Sequence, residues 1–214
     1  MKKRETVIRW IIYVAGLLIL SLGIILNSKT NLGVSPIVSV SYSISRIFGL
    51  NFGNTTFAYY ALFVLLEFII KGREAHLYDL LQIPVGLIFT RFMNVYSFLI
   101  PEPASLPGKL IMLVFALLFT GIGVSMSVSM KLIPNPGDGI VAALAWRFRT
   151  GMGLMKNIFD LINVMITLVI GLLFGHLFLG IGLGTILTML GVGRVVAVFN
   201  HLFLKKMLEA SGLE

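Results

Sequence analysis

The chain contains no cysteine. That excludes disulfides, thiol catalysis and cysteine-ligated metals. Charge is scarce as well: only 12% of the 214 residues are charged, and nine are acidic. What fills the space is apolar, with 57% hydrophobic residues and a mean hydropathy of +0.98. That composition excludes an ordinary soluble domain and reads as a polytopic membrane protein whose first partner is the lipid bilayer. We expect one transmembrane unit over residues 1–214, with no appended soluble domain. The net charge is +8. The basic residues sit in clusters between apolar runs, which is a topology signal rather than a sign of nucleic-acid binding. The run Val7 to Leu26 follows a basic start and lacks a small-residue cleavage site, so it reads as a retained helix.

One stretch breaks the apolar pattern most sharply. Leu132 to Arg149 reads LIPNPGDGIVAALAWRFR. Broken backbone at membrane depth is tolerated only where protein or a water-filled cavity surrounds it. Asn135 is a good helix N-cap, and Pro136 fits the first helical position, where a missing N–H costs nothing. Gly137 and Gly139 let another group approach the backbone closely. We expect a half-helix that starts inside the membrane and returns to the surface it came from.

The first half carries a similar plan. Helix 1 covers about Val7–Asn27. SKTNLGVSP follows, and then Pro36 to Phe48, which is short and serine-rich. Apolar runs cover Thr55–Ile70 and Leu77–Ile100, separated by the basic loop KGREAH. The linker is PEPASLPGK. A shift of 100 pairs Pro36 with Pro136, Gly23 with Gly123, Leu32 with Leu132, Phe48 with Phe148, Gly53 with Gly153 and His76 with His176. The Pro and Gly matches carry the weight, because these residues fix backbone shape. A shift of 103 pairs Arg91 with Arg194. The expected fold is therefore all-α, with two repeats at about 7–100 and 109–204 joined by a linker at 101–108. Each repeat has three transmembrane helices and one re-entrant half-helix. Three is odd, so the second copy is inverted. Charge asymmetry agrees. With the N-terminus cytoplasmic, Lys2, Lys71, Arg73, Lys131, Arg147, Arg149, Lys156, Lys205 and Lys206 fall inside. Lys29, Arg46 and Lys109 fall outside. The C-terminus is then cytoplasmic too.

Candidate site residues follow from that plan. Ser35-Pro36 and Asn135-Pro136 each begin a short helix, whose start carries unpaired N–H groups and partial positive charge. Inverted-repeat transporters use such ends near the midplane to hold anionic groups or ions. With Ser39, Gly137 and Gly139 they form the expected substrate site. Two ordinary proline kinks or short surface helices remain the alternative. Arg91 and Arg194 lie deep in apolar runs and would grip an anion with two bonds, or tie down carbonyls of a broken helix. Asp138, in the first turn of the second half-helix, is either a cap or a coupling group. Lys156 and Asp160 are four apart, so they either pair on one helix face or join Asp138 in coupling. Ser39, Ser41, Ser43 and Ser45 also suit close helix packing. His76, His176 and His201 lie near helix ends and read as interfacial. No metal or cofactor site is expected, and GIGLGTIL is no nucleotide fingerprint, since no strand surrounds it.

NLGVSP, NPGDGI, GMGLMKNIFD and the size of about two hundred residues resemble the YczE/YyaS family of small bacterial membrane proteins, and more distantly YitT-type proteins. The resemblance implies the bacterial cytoplasmic membrane and suggests transport. It brings no catalytic residues. Asn135-Pro136-Gly137 is also similar to the aquaporin NPA. However, Gly137 breaks that match, and Val34-Ser35-Pro36 lacks the Asn.

The expected function is a small secondary transporter of a small, anionic metabolite. The alternatives are a passive channel of hourglass type and the substrate-binding membrane subunit of an ATP-driven vitamin importer. An enzyme is not expected, since no paired His/Glu or Ser-His set is visible. A homo-oligomer is compatible with this plan.

Overall fold

The structure is a computed structural model that describes residues 3–213. Lys2, placed inside by its charge, lies outside the described residues. The described residues form α-helices with short 3-10 turns and no strand. In order they are α1 (Lys3–Lys29), α2 (Pro36–Ile47), α3 (Phe52–Lys71), α4 (Gln82–Leu99), α5 (Leu106–Ser129), α6 (Pro136–Phe148), α7 (Met152–Leu173) and α8 (Leu183–Ser211). Five of them, α1, α3, α5, α7 and α8, are long and apolar enough to cross a membrane. α4 is not among these. Its expected run from Leu77 divides, because Leu77–Leu81 form a 3-10 turn in which Asp79 accepts the His76 backbone N–H.

Local signals account for the helix starts. Pro36 and Pro136 each open a short helix, with no N–H to lose. Asn135 caps α6 by accepting the Gly137 N–H at 3.1 Å. Asn51 caps α3, accepting the Asn54 N–H at 2.9 Å. Ser105 caps α5 in the same way.

The backbone repeats along with the sequence. Asn31 and Lys131, 100 apart, both take positive φ, at 55° and 48°. Gly49 and Arg149 do the same, at 63° and 54°. Positive φ is rare outside glycine, so these matched turns are not generic chain behaviour. Each end of α1, α2 and α3 falls within three residues of its counterpart in α5, α6 and α7 after the shift.

Packing is organised around a crossing of α1 and α5. Gly16 lies against Ser127, and Gly23 against Thr120, so the two helices run antiparallel. Glycine is required at the crossing, since a Cβ on Gly23 would sit 2.5 Å from the Thr120 amide nitrogen. The short helices exchange halves. α2 packs on α7, where Ser39 Oγ and Thr167 Oγ1 are 2.7 Å apart. α6 packs on α3. Between α2 and α3, Ser41 Oγ and Thr56 Oγ1 lie 3.0 Å apart. Across the middle, Tyr59 donates to Asn163 Oδ1 at 2.7 Å. α8 lies on α5, with Val195 against Gly121 and Ser125 bonded to Asn200.

Polarity is turned inside out relative to a soluble protein. Ser39, Ser41, Thr56, Glu67, Gln82 and Asn163 are buried, while Leu65, Ile69, Phe98, Leu161 and Leu173 are exposed. An apolar outer surface suits lipid, and interior polar groups find partners within the bundle.

Charged groups gather at two ends. Arg9 donates to the carbonyls of Met130 and Lys131, each at 2.7 Å, and Tyr13 donates to that of Ile133 at 2.7 Å. At the other end of α1, Glu102 faces Lys29 at 3.9 Å and Arg46 at 3.7 Å, and accepts from Asn31 at 2.9 Å.

Candidate functional site

The starts of α2 and α6 open onto one cavity of about 540 Å³. Ser35, Pro36 and Ile37 line it from one side, and Asn135, Gly137 and Asp138 from another. Lys156, Asn157 and Asp160 reach it from α7, and Arg194 from α8. Leu20, Ile24 and Val124 supply apolar wall from α1 and α5, and Tyr60 supplies an aromatic ring from α3. Two helix starts 100 residues apart in sequence therefore share one space.

The charges in this space are unevenly partnered. Lys156 Nζ lies 3.3 Å from Asp160 Oδ2, the i,i+4 pair expected on one helix face. Arg194 turns back onto its own helix, donating to the Leu190 carbonyl at 2.7 Å, and remains exposed. Among the described residues no hydrogen bond or ion pair engages the Asp138 carboxylate. The side chain is partly exposed to the cavity. It is not the cap of α6, since Asn135 performs that role with both its side chain and its carbonyl, which accepts from Asp138 and Gly139 N–H. On α2 no side chain caps the start, because Ser35 makes no capping bond.

Several sequence-predicted site residues lie elsewhere. Arg91 does not line the cavity. It is exposed and donates to Asn54 Oδ1 on α3 at 2.5 Å. The position in the run made it deep, but the helix turns that face away from the cavity. Ser39 is fully buried and donates to the Pro36 carbonyl at 2.7 Å besides its contact with Thr167, which makes it a packing residue of the α2–α7 contact. Pro136 is buried under Gly86 of α4. Gly139 serves a second cluster. A side chain there would collide with Gln82 and with Glu67, whose Oε2 would lie 2.7 Å from the added Cβ.

That second cluster was not foreseen. Glu67 is 1% exposed, with Lys71 Nζ 2.5 Å from its Oε1 and Gln82 Nε2 donating to Oε2 at 2.8 Å. Lys71 also meets Asp79 at 3.0 Å. Gln82 Oε1 is buried without a partner among the described residues. The i,i+4 spacing of Glu67 and Lys71 was visible, but burial by α4 and α6 was not. Among the described residues no three His, Asp or Glu side chains gather to hold a metal.

Comparison with known proteins gives a family. The model of a family of unknown function, DUF6198, matches residues 7–201. The uncharacterized membrane protein YczE of Bacillus subtilis (strain 168) is 28% identical over 197 residues, covering 91% of this chain and 86% of that protein. An uncharacterized protein of Haemophilus influenzae is 23% identical over 116 residues, covering 54% of this chain and 50% of its own length. No solved structure matches the chain. With its apolar helices and a family match over nearly the whole sequence, the chain is a membrane protein that belongs to the DUF6198 family and is YczE-like.

Proposed function

We propose that this protein is a small secondary transporter built from two inverted repeats, with a small metabolite bound between the starts of α2 and α6. The observation that carries the reading is the shared cavity. Both proline-led starts open onto it, although they belong to different halves of the chain. In a bilayer such interrupted helices are found where they line a cavity, and their ends hold ions or polar substrate groups. The antiparallel crossing of α1 and α5, the matched positive-φ turns and the exchange of α2 and α6 between halves support an inverted duplication. On this reading α2 and α6 are the re-entrant half-helices. The meeting of Lys29 and Arg46 at Glu102, and of Arg9 with the α5–α6 turn, fits a cytoplasmic N-terminus.

An anionic group of the substrate would sit at the uncapped start of α2, with Arg194 as the nearby cation. Asp138 is the proposed coupling group, because its carboxylate takes and releases a cation without breaking a protein contact. Lys156 and Asp160 balance each other beside it. The reading places no covalent chemistry in the cavity. The test is uptake into proteoliposomes under an imposed proton or sodium gradient. Accumulation above the external concentration supports a transporter. Equilibration alone supports a channel, and co-purification with an ATPase supports an importer subunit.

A further inference from the structure

We propose that the cavity binds an organic ammonium group, with the Asp138 carboxylate as its counter-ion and the Tyr60 ring beside it. This rests on the reading above that the cavity is the substrate site, and it makes the substrate zwitterionic rather than simply anionic. Asp138, Lys156 and Asp160 line one space, and together they carry one net negative charge. Lys156 is committed to Asp160 at 3.3 Å, so the unbalanced charge falls on Asp138. Arg194 does not cancel it, since its guanidinium folds back onto Leu190 and stays exposed. An unpaired carboxylate inside a membrane protein is costly; it either takes a proton or is completed by a cation, and such groups mark substrate, ion and proton pathways.

The rest of the wall selects the kind of cation. A small hard metal ion needs several oxygen ligands at close range. Among the described residues only two carboxylates line the space, Asp138 and Asp160, and Asp160 faces Lys156; Asn135 Oδ1 accepts from Gly137, and Ser35, Thr120, Asn157 and Thr188 are neutral. The remaining wall near Asp138 is Tyr60 and Ile37, with Leu20, Ile24 and Val124 around them. The Tyr60 ring is held in place by Phe63 and Phe89, at centroid distances of 6.0 and 6.1 Å. Tyr60 is only 2% exposed, with Phe63 and Phe89 stacked on it, so its ring serves as wall; a carboxylate in an apolar enclosure suits an alkylated or primary ammonium with a hydrocarbon body. The cavity volume, about 540 Å³, accommodates a metabolite of that size.

The zwitterion also gives Asp138 a direct place in coupling. The ammonium group and the driving cation would compete for one carboxylate, so neither is bound while the other is present.

The test uses the full-length purified protein and defined probes. Choline, benzyltrimethylammonium and cyclohexylammonium are compared with the uncharged twins 3,3-dimethyl-1-butanol and cyclohexanol. Binding is read as a shift of the melting midpoint with concentration. At least one ammonium probe should bind about ten-fold more tightly than its uncharged twin, the scale of one close charge pair. Asp138→Asn should abolish that preference, and Asp138→Glu should keep part of it. A second measurement needs no variant: modification of Asp138 by dicyclohexylcarbodiimide, located by mass spectrometry, should be slowed by choline or benzyltrimethylammonium. Equal binding of charged and uncharged twins, or no protection of Asp138 by either quaternary probe, would overturn the proposal. Binding without any gradient-driven uptake would leave this proposal standing and remove the transporter reading instead.

Discussion

Gly23 and Gly123 make the same contact from opposite sides of one helix crossing. Gly23 of α1 lies on Thr120 of α5, and Gly123 of α5 lies on Leu20 of α1. Under the shift of 100, each contact becomes the other. A Cβ on Gly123 would also lie 2.7 Å from the Gly16 carbonyl oxygen, so both positions are closed to larger residues. On the proposed inverted duplication this crossing would be the axis, and it brings the cavity walls of α1 and α5 together.

The first prediction concerns that axis. Gly23→Leu and Gly123→Leu should each destabilise the protein by about 1–3 kcal/mol or more, as overpacked cores do. Gly193→Ala is the control, since open space surrounds it and its helical backbone is unstrained. It should be neutral or raise stability by about 0.4–1 kcal/mol. Melting midpoints in one detergent compare the three. Equal midpoints for all three would show that the crossing is loose.

A second prediction addresses topology. The chain has no cysteine, so single introduced cysteines report cleanly. Ala104→Cys should react with a membrane-impermeant maleimide in intact cells. Arg73→Cys and Phe148→Cys should react only after permeabilisation, as expected if their basic surroundings are cytoplasmic. All three residues are exposed in the structure. Labelling of Phe148→Cys from outside would reject the inverted arrangement.

The buried acid on α3 gives a third prediction. Glu67 holds Lys71 and Gln82 against the glycine face of α6. Glu67→Ala should cost about 2–4 kcal/mol, because it leaves the buried Gln82 amide without its acceptor and opens a cavity, while Lys71 keeps Asp79. Glu67→Gln should cost less, since it keeps one hydrogen bond to Gln82. Thermal unfolding of both variants distinguishes this network from a surface pair, for which Glu67→Ala would cost about 1 kcal/mol or less.

The fourth prediction separates two arginines that look alike in sequence. Arg194 lines the cavity, whereas Arg91 bonds Asn54 away from it. Arg194→Gln should weaken binding of a charged ligand by about ten-fold, the loss of one charged contact. Arg91→Gln should leave that binding unchanged. Titration with a small zwitterion, trimethylglycine, compares them directly. Equal losses would return Arg91 to the site.

These cases mark what the sequence made legible. Pro36, Pro136 and Asn135 announced the two short helices, because those residues act on the backbone where they stand. Burial of the two helix starts against one cavity followed from the same plan. Depth along a helix was readable for Arg91, but its facing direction was not. Which side of α4 meets the bundle depends on helices distant in sequence. Glu67 was missed for the same reason. Its pairing with Lys71 is local, yet its burial comes from Gln82 and Gly139 on other helices. Asn135 was readable as the cap of α6, and the structure shows it in that role; whether Asp138 couples transport was not readable, because its surroundings come from other helices.

The most direct measurement of the central claim is gradient-driven accumulation in proteoliposomes supplied with a bacterial small-molecule extract. Internal and external pools are compared by mass spectrometry, with and without an imposed proton or sodium gradient. The account predicts that at least one small zwitterionic metabolite accumulates above its external concentration, that dissipating the gradient abolishes this, and that Asp138→Asn loses it while melting near the parent midpoint. Internal concentrations that never exceed the external ones, under either gradient and with folded protein, would contradict the account.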